Sequence, residues 1–288
     1  EYYLKTLHEA LKHKLLSQPI LHADETYYKV LESNTKKTYY WVYLSGKHEK
    51  NGVTIYQHNK HRNGQTAIDF LGDYKGYLHC DMWQAYQQLP EATLVGCWAH
   101  VRRKFFEAVP QNASDKSIAK EGLKYCNQMF QLEREWEQLS SEERYEHRKQ
   151  ELKPLIDKFF NWCKWQESCV LMGSKLGRAI KYALNHQTEF SHVLLDGRLE
   201  LSNNKAERAV KSLVIGRKNW LFSQSFEGAQ ASGIILSLIE TAKRNELDPE
   251  KYLKYLLERL PNEPRLNMET MEAYLPWKKE VQKQCKRT

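Results

Sequence analysis

Leu4, Leu7, Leu11 and Leu15 recur at helical spacing before Pro19, which predicts an amphipathic helix over Glu1 to Gln18. From Ile20 the texture becomes β-branched and aromatic. Strands are expected over Ile20 to Leu31, Thr38 to Leu44 and Val53 to Tyr56, with turn-forming clusters around Asn34 and from Gly46 to Gly52 between them. Short polar connections of that kind give an antiparallel meander. Ala67, Ile68 and Leu71 then predict a helix. It is followed by a strand over Tyr77 to Asp81, a helix over Gln84 to Leu89, a strand over Thr93 to Trp98 and a helix over Val101 to Val109. These alternations read as crossovers, so the fourth and fifth strands should run parallel.

From Gln111 to about Glu200 the strand texture disappears. Charged helical stretches replace it over Leu123 to Leu139, over Glu142 to Trp165 with a break or kink near Pro154, over Ser174 to Asn185 and around Phe190 to Leu195, ending at the turn Asp196, Gly197. A helix should then open at Ser202 to Asn204, with a loop at Gly216 to Asn219 and a long helix from Glu227 to Asn245. A last helix follows, capped by Asp248 with Pro249 in its first position. Three antiparallel strands followed by two β units reached through helices is the order of the ribonuclease H-like fold. The expected class is therefore α/β, a ribonuclease H-like mixed five-stranded sheet with flanking helices and a large all-helical insertion. The corresponding division is an N-terminal helix (1–19), the first part of the core (20–110), the insertion (111–200), a core completion (201–262) and a C-terminal tail (263–288).

Composition narrows the class. The 288 residues are 41% hydrophobic and 28% charged, with a mean hydropathy of −0.74. No run approaches the roughly 18 apolar residues of a membrane span, and the balance is not that of a disordered tail. A net charge of +8 and a pI near 9.0 favour a polyanionic partner. The six cysteines are irregularly spaced, which fits reduced thiols and a cytoplasmic location. Cys97 and His100 form one C-x-x-H pair, but no second close pair completes a structural zinc site. Without an initiator methionine or a signal-peptide pattern, the chain is expected to be a fragment of a longer one.

Three carboxylates carry candidate chemistry. Asp24 lies in Leu21-His-Ala-Asp-Glu-Thr26, within an apolar strand. Asp81 ends the fourth strand, and Glu207 lies in the first turn of the helix after the insertion. Each has an ordinary explanation when taken alone: a strand-end turn, a helix N-cap, and the glutamate of a capping box opened by Asn204. Together they would form an oxygen-rich cluster suited to Mg²⁺, which accepts few protein carboxylates and keeps room for water and phosphate oxygens.

LHADET (Leu21 to Thr26), CDMWQAY (Cys80 to Tyr86), GCWAHVRRKF (Gly96 to Phe105), DGRLELSNNKAERAVK (Asp196 to Lys211), GRKNWLFS (Gly216 to Ser223) and SLIETAKRNELDPEKYL (Ser237 to Leu253) closely resemble, in order, the transposases of the insertion sequence 66 family. YLPWKK (Tyr274 to Lys279) resembles the family's C-terminal element. Tyr27 and Tyr28 depart from the family pattern, as does the basic end of YLPWKK. The resemblance implies that Asp24, Asp81 and Glu207 are an Asp-Asp-Glu triad of catalytic metal ligands. They would hold two Mg²⁺, or Mn²⁺ in substitution, about 3.5–4 Å apart, to hydrolyse a strand at the element end and then join its 3′-hydroxyl to target DNA. It also implies double-stranded DNA partners, both transposon ends and target, a homo-oligomer in the active complex, and an upstream DNA-recognition region that this sequence lacks.

Lys205, Arg208, Lys211, Arg217 and Lys218 crowd the window around Glu207 and are candidate phosphate contacts, although a solvated face explains each singly. His100 and Arg103, after the fifth strand, are further DNA-binding candidates, with a packing or capping role open for His100. Trp136, Trp162 and Trp165 are better read as core than as base-stacking platforms. Two other functions remain compatible with the residues: a ribonuclease H-like nuclease without strand transfer, and an inactive DNA-binding relic.

Overall fold

The computed structural model describes residues 2–35 and 37–287. Glu1, expected in the first helix, and Thr288, in the expected tail, lie outside the described residues. The protein is α/β, with a five-stranded mixed sheet in the order Thr54–Asn59, Thr38–Ser45, Ile20–Tyr28, Tyr77–Cys80, Thr93–Gly96. Its chain divides into two compact units, one of Glu1–Gly76, Gln84–Ala92 and Lys205–Thr288, the other of Tyr77–Trp83 and Thr93–Asn204.

In the first unit, α1 (Tyr2–Leu16) buries Leu4, Leu7, Leu11 and Leu15, the stripe visible in the sequence. β1 (Ile20–Tyr28), β2 (Thr38–Ser45) and β3 (Thr54–Asn59) form the expected antiparallel meander, registered by Asp24 opposite Val42 and Val42 opposite Tyr56. Alternation sends the two side-chain sets of each strand to opposite faces. On one face, Tyr43 stacks on Phe70 of α2 (Gly64–Leu71), with ring centroids 3.8 Å apart.

The unit's later helices are α9 (Asn204–Trp220), α10 (Phe226–Arg244), α11 (Pro249–Arg259), α12 (Met268–Glu272) and α13 (Lys279–Cys285). Tyr28, Tyr40, Val42, Leu44 and Tyr56 form a buried cluster with Ala206 and Leu213 of α9 and Ala229 of α10. An open edge at β3 would leave backbone donors without partners. α10 covers it with Gly233, Ser237 and Thr241, spaced four residues apart on one helical face. Ser237 Oγ accepts the Tyr56 N–H at 2.8 Å and Thr241 Oγ1 accepts that of Thr54 at 3.0 Å. Gly233 permits the approach, because a Cβ there would stand 2.8 Å from the Tyr56 carbonyl oxygen. Asp248 caps α11, accepting the N–H groups of Glu250 and Lys251, with Pro249 next as expected.

In the second unit, β4 (Tyr77–Cys80) and β5 (Thr93–Gly96) pair in parallel, Cys80 opposite Gly96. Helices α3 (Trp98–Ala108), α4 (Ile118–Glu135), α5 (Ser141–His147), α6 (Lys153–Glu167), α7 (Lys175–Asn185) and α8 (Gln187–Ser191) follow. Their core is aromatic: Trp98, Phe105, Phe159, Phe160 and Phe190 are buried, and the Trp98 indole donates to the Phe190 carbonyl at 3.0 Å. The break expected near Pro154 is a π-helical turn over Arg148–Leu152. Proline cannot donate the next helical hydrogen bond, so the wider turn absorbs the defect.

Two expectations are corrected. Gln84 to Leu89 is not a helix but a single 3₁₀ turn at Tyr86–Gln88, because Pro90 holds Leu89 extended, at ψ 123°. Gly216 to Asn219 is not a loop but the last turn of α9, where buried Gly216 lies under the Trp220 ring.

Candidate active site

The register of β1 separates the two acids of the Leu21–Thr26 segment. Residues directly opposed on antiparallel strands share a sheet face. Asp24 therefore lies on the face of Val42, which packs with Ala206 and Leu213 of α9, and Glu207 follows Ala206 on that helix. Asp24 is half-buried, and its Oδ1 accepts the Glu25 N–H at 2.9 Å. Asp24 and Glu207 thus belong to one unit and to the same side of its sheet.

Glu25, opposite Trp41, points to the other face. Its Oε1 accepts from Arg62 Nε at 2.8 Å and its Oε2 from the Tyr86 hydroxyl at 2.6 Å, with the carboxylate almost fully covered. Burial, reinforced by the charge of Glu25, pushes the Tyr86 hydroxyl well above its usual range, so Tyr86 is the donor. This network was not legible as a motif, since Arg62 and Tyr86 are remote from Glu25 in the sequence.

Asp81 lies in the second unit, just after β4. It does not cap a helix. Its Oδ1 accepts the Trp83 N–H at 3.0 Å across a turn in which buried Met82 takes φ 64°, and its carbonyl accepts the Tyr182 hydroxyl at 2.9 Å. A left-handed conformation at a bulky residue costs energy and persists only where the surroundings impose it.

Glu207 lies on a helix of the first unit. α9 begins at Asn204 and carries Glu207 in its first turn. Asn203, ahead of the helix, is buried and donates its N–H to Cys97 Sγ at 3.1 Å. That contact gives the Cys97 thiol a packing role.

The basic candidates separate by position. Ala206, Ala209, Val210 and Leu213 form the apolar stripe of α9, while Arg208, Lys211 and Lys218 are exposed and Lys205 is half-buried. Arg217 donates to the Tyr27 carbonyl at 2.7 Å and stacks over the Tyr27 ring at 4.2 Å, which docks the end of α9 on the end of β1. His100 and Arg103 lie on the first two turns of α3, half-buried and exposed respectively. Trp136 and Trp162 are buried, as read from the sequence, and Trp165 is 65% exposed. Sequence reasoning missed Arg134 and Phe106, which share a cavity with Arg103.

These features define an α/β protein whose sheet turns a carboxylate toward a helix bearing a second carboxylate and a basic outer stripe. Residues 1–231 match the family model described as "Transposase IS66 family", and residues 237–277 match "IS66 C-terminal element". The chain belongs to the IS66 transposase family. Among similar proteins of Sinorhizobium fredii (strain NBRC 101917 / NGR234), "Uncharacterized protein y4hP" is 31% identical over 279 residues, covering 89% of this chain and 50% of that protein. "Uncharacterized protein y4jD" is 29% identical over 292 residues, covering 96% of this chain and 57% of its own length. The chain spans about half the length of the curated relatives it matches. No solved structure matches it. Among the described residues no helix is long and apolar enough to cross a membrane.

Proposed function

We propose that this chain is the catalytic core of a DNA transposase with a ribonuclease H-like fold, which cuts phosphodiester bonds at element ends and joins the freed 3′-hydroxyl to target DNA. Asp24, Asp81 and Glu207 are the catalytic carboxylates. Their donor set is all oxygen, which fits a hard divalent cation, Mg²⁺ or Mn²⁺ in its place. When bound, such a cation activates the attacking hydroxyl and stabilises the leaving oxygen. The observation that carries this reading is the common sheet face of Asp24 and Glu207 within a chain of the IS66 transposase family.

The chain's own residues supply position and charge. β-pairing holds Asp24 rigidly, the apolar stripe of α9 fixes the bearing of Glu207, and the strained turn at Met82 fixes the backbone beside Asp81. Lys205, Arg208, Lys211 and Lys218, with His100 and Arg103, hold backbone phosphates of duplex DNA, while Arg217 acts chiefly as the anchor of α9. A homo-oligomer would bring two element ends together.

The test is DNA cleavage with Mg²⁺ by Asp24→Asn, Asp81→Asn and Glu207→Gln. Each change removes a charge and almost no volume, so all three proteins should melt near the wild-type temperature and cleave nothing. Retained cleavage by Asp24→Asn refutes the assignment. A strand-joining assay separates transposase from simple nuclease: cleavage without joining by the wild type favours the nuclease.

A further inference from the structure

Within the second unit, α3 and α4 border a cavity of about 630 Å³. Helical periodicity builds it. Arg102, Arg103 and Phe106 stand within one turn on α3, and Asn127, Phe130 and Arg134 recur at i, i+3 and i+7 on α4. The apolar stripes of both helices are buried elsewhere, through Trp98, Val101 and Phe105 on α3 and Ala119, Cys126 and Met129 on α4. The polar and aromatic stripes are therefore what the two helices present to this cleft. Arg102 Nε donates to Asn127 Oδ1 at 2.7 Å, tying one wall to the other.

The chemistry of the lining is selective. Among the described residues no carboxylate lines the cavity, and the charged groups of its lining are three guanidiniums. Phe106 is 61% exposed, so its ring is open to a ligand in the cleft. A surface built only for duplex phosphates would need the arginines but not the ring. An apolar pocket would need the ring but not the arginines. Arginine charge beside an aromatic face is the combination that binds single strands, with phosphates on the cations and bases on the ring. The volume also falls within the roughly 300–1,000 Å³ usual for ligand pockets, room enough for a nucleotide unit.

We propose that the α3/α4 cleft binds a single-stranded stretch of DNA, its phosphates against Arg102 and Arg134 and an unstacked base against Phe106. The assignment rests on the DNA-processing function proposed above, but its binding chemistry needs no metal, so the two can fail separately. A single-stranded segment arises wherever an element end is cut on one strand or frayed, and the cleft would hold it.

The experiment is fluorescence anisotropy in EDTA, with a labelled oligothymidylate and a labelled hairpin duplex as probes. Phe106→Ala should weaken oligothymidylate binding by about 5- to 150-fold, the range for losing one stacked base, with the salt dependence unchanged. Duplex binding should stay within about twofold, because phosphate contacts dominate it. Phe106→Trp should restore single-strand binding. Arg102→Ala/Arg134→Ala should lower the slope of log affinity against log salt by about 1.4, two contacts at about 0.7 each. These side chains are exposed, so the variants should melt close to the wild type, Arg102→Ala losing only one exposed hydrogen bond. Wild-type affinity in Phe106→Ala, equal losses on both probes, or no single-strand binding by the wild type overturns the proposal. If the wild type cleaves no DNA but the Phe106-dependent binding is present, the transposase reading fails and the cleft assignment stands.

Discussion

Arg148 makes five hydrogen bonds within the second unit, and its loss should be costly. It sits on the π-helical turn, fully buried, and all five guanidinium N–H groups are engaged. Nε and Nη2 grip the Glu133 carboxylate at 2.7 Å each, Nη1 donates to the carbonyls of Val193 and Asp196 at 2.9 Å each, and Nη2 donates to that of Leu199 at 2.7 Å. Arg148→Met keeps the stem and removes every donor. Each orphaned carbonyl costs about 1–3 kcal/mol if water does not reach it, and breaking a buried ion pair costs about 3–5 kcal/mol. Because the Glu133 side chain is 15% exposed, its charge can recover some hydration, so the lower end of the summed range applies, about 6 kcal/mol. Urea unfolding followed by tryptophan fluorescence would read this as a lower midpoint at unchanged slope. Hydrogen exchange should show faster turnover at the amides of residues 193–199, whose carbonyls Arg148 holds. Arg148→Met/Glu133→Leu should recover part of the loss, since it removes the stranded charge. A loss below about 1 kcal/mol in Arg148→Met would mean that the hydrogen bonds are not mutually reinforcing and that the loop is held by packing alone.

Two further outcomes follow from burial. His8 lies in the core of the first unit, where burial lowers its pKa from 6.5 to about 4. The unfolded chain therefore binds a proton that the folded one refuses. Stability should fall as pH drops from about 6.5 toward 4, with a slope of up to about 1.4 kcal/mol per pH unit from this group, and urea midpoints of His8→Gln should be flatter over that window. Equal pH dependence in both proteins would refute the assignment. Gly197 packs so closely on α5 that a Cβ would stand 1.8 Å from the Ser141 carbonyl oxygen. Gly197→Ala should lower stability by about 2–3 kcal/mol in the same urea assay, and a neutral result would show that the loop shifts freely.

What the sequence disclosed, and what it hid, divides along one physical line. Features set by local periodicity were legible: the leucine stripe of α1, the alternation of β1 to β3, the break at Pro154, the cap at Asp248. Features set by what a residue meets far along the chain were not. Gly216 reads as a helix breaker because its reason for being glycine, the Trp220 ring lying over it, is invisible until the helix forms. The segment from Gln84 to Leu89 has helical composition, but Pro90 limits it to one turn. Asp24 could be picked out as an acid in an apolar strand, and Glu207 from its place in a family motif. Phe106, Asn127 and Arg134 could not, because nothing in α3 announces that α4 packs beside it.

The paired acids of the Leu21–Thr26 segment show how such long-range contacts serve the candidate site. In a strand, a slip of one residue exchanges the two faces, so whichever acid faces α9 is decided by register. Alternation alone leaves that choice open, because Asp24 and Glu25 are both carboxylates. The partners of Glu25 agree with the choice that the β1–β2 register makes. Arg62 and Tyr86 reach it only on the face away from α9, and together they satisfy a carboxylate that would otherwise be expensive to bury. With Glu25 on that face, Asp24 lies on the other, the side of the helix that carries Glu207. Glu25 thus has structural partners of its own, and its adjacency to Asp24 in the sequence reflects the two-residue repeat of the strand, which sends the two acids to opposite faces.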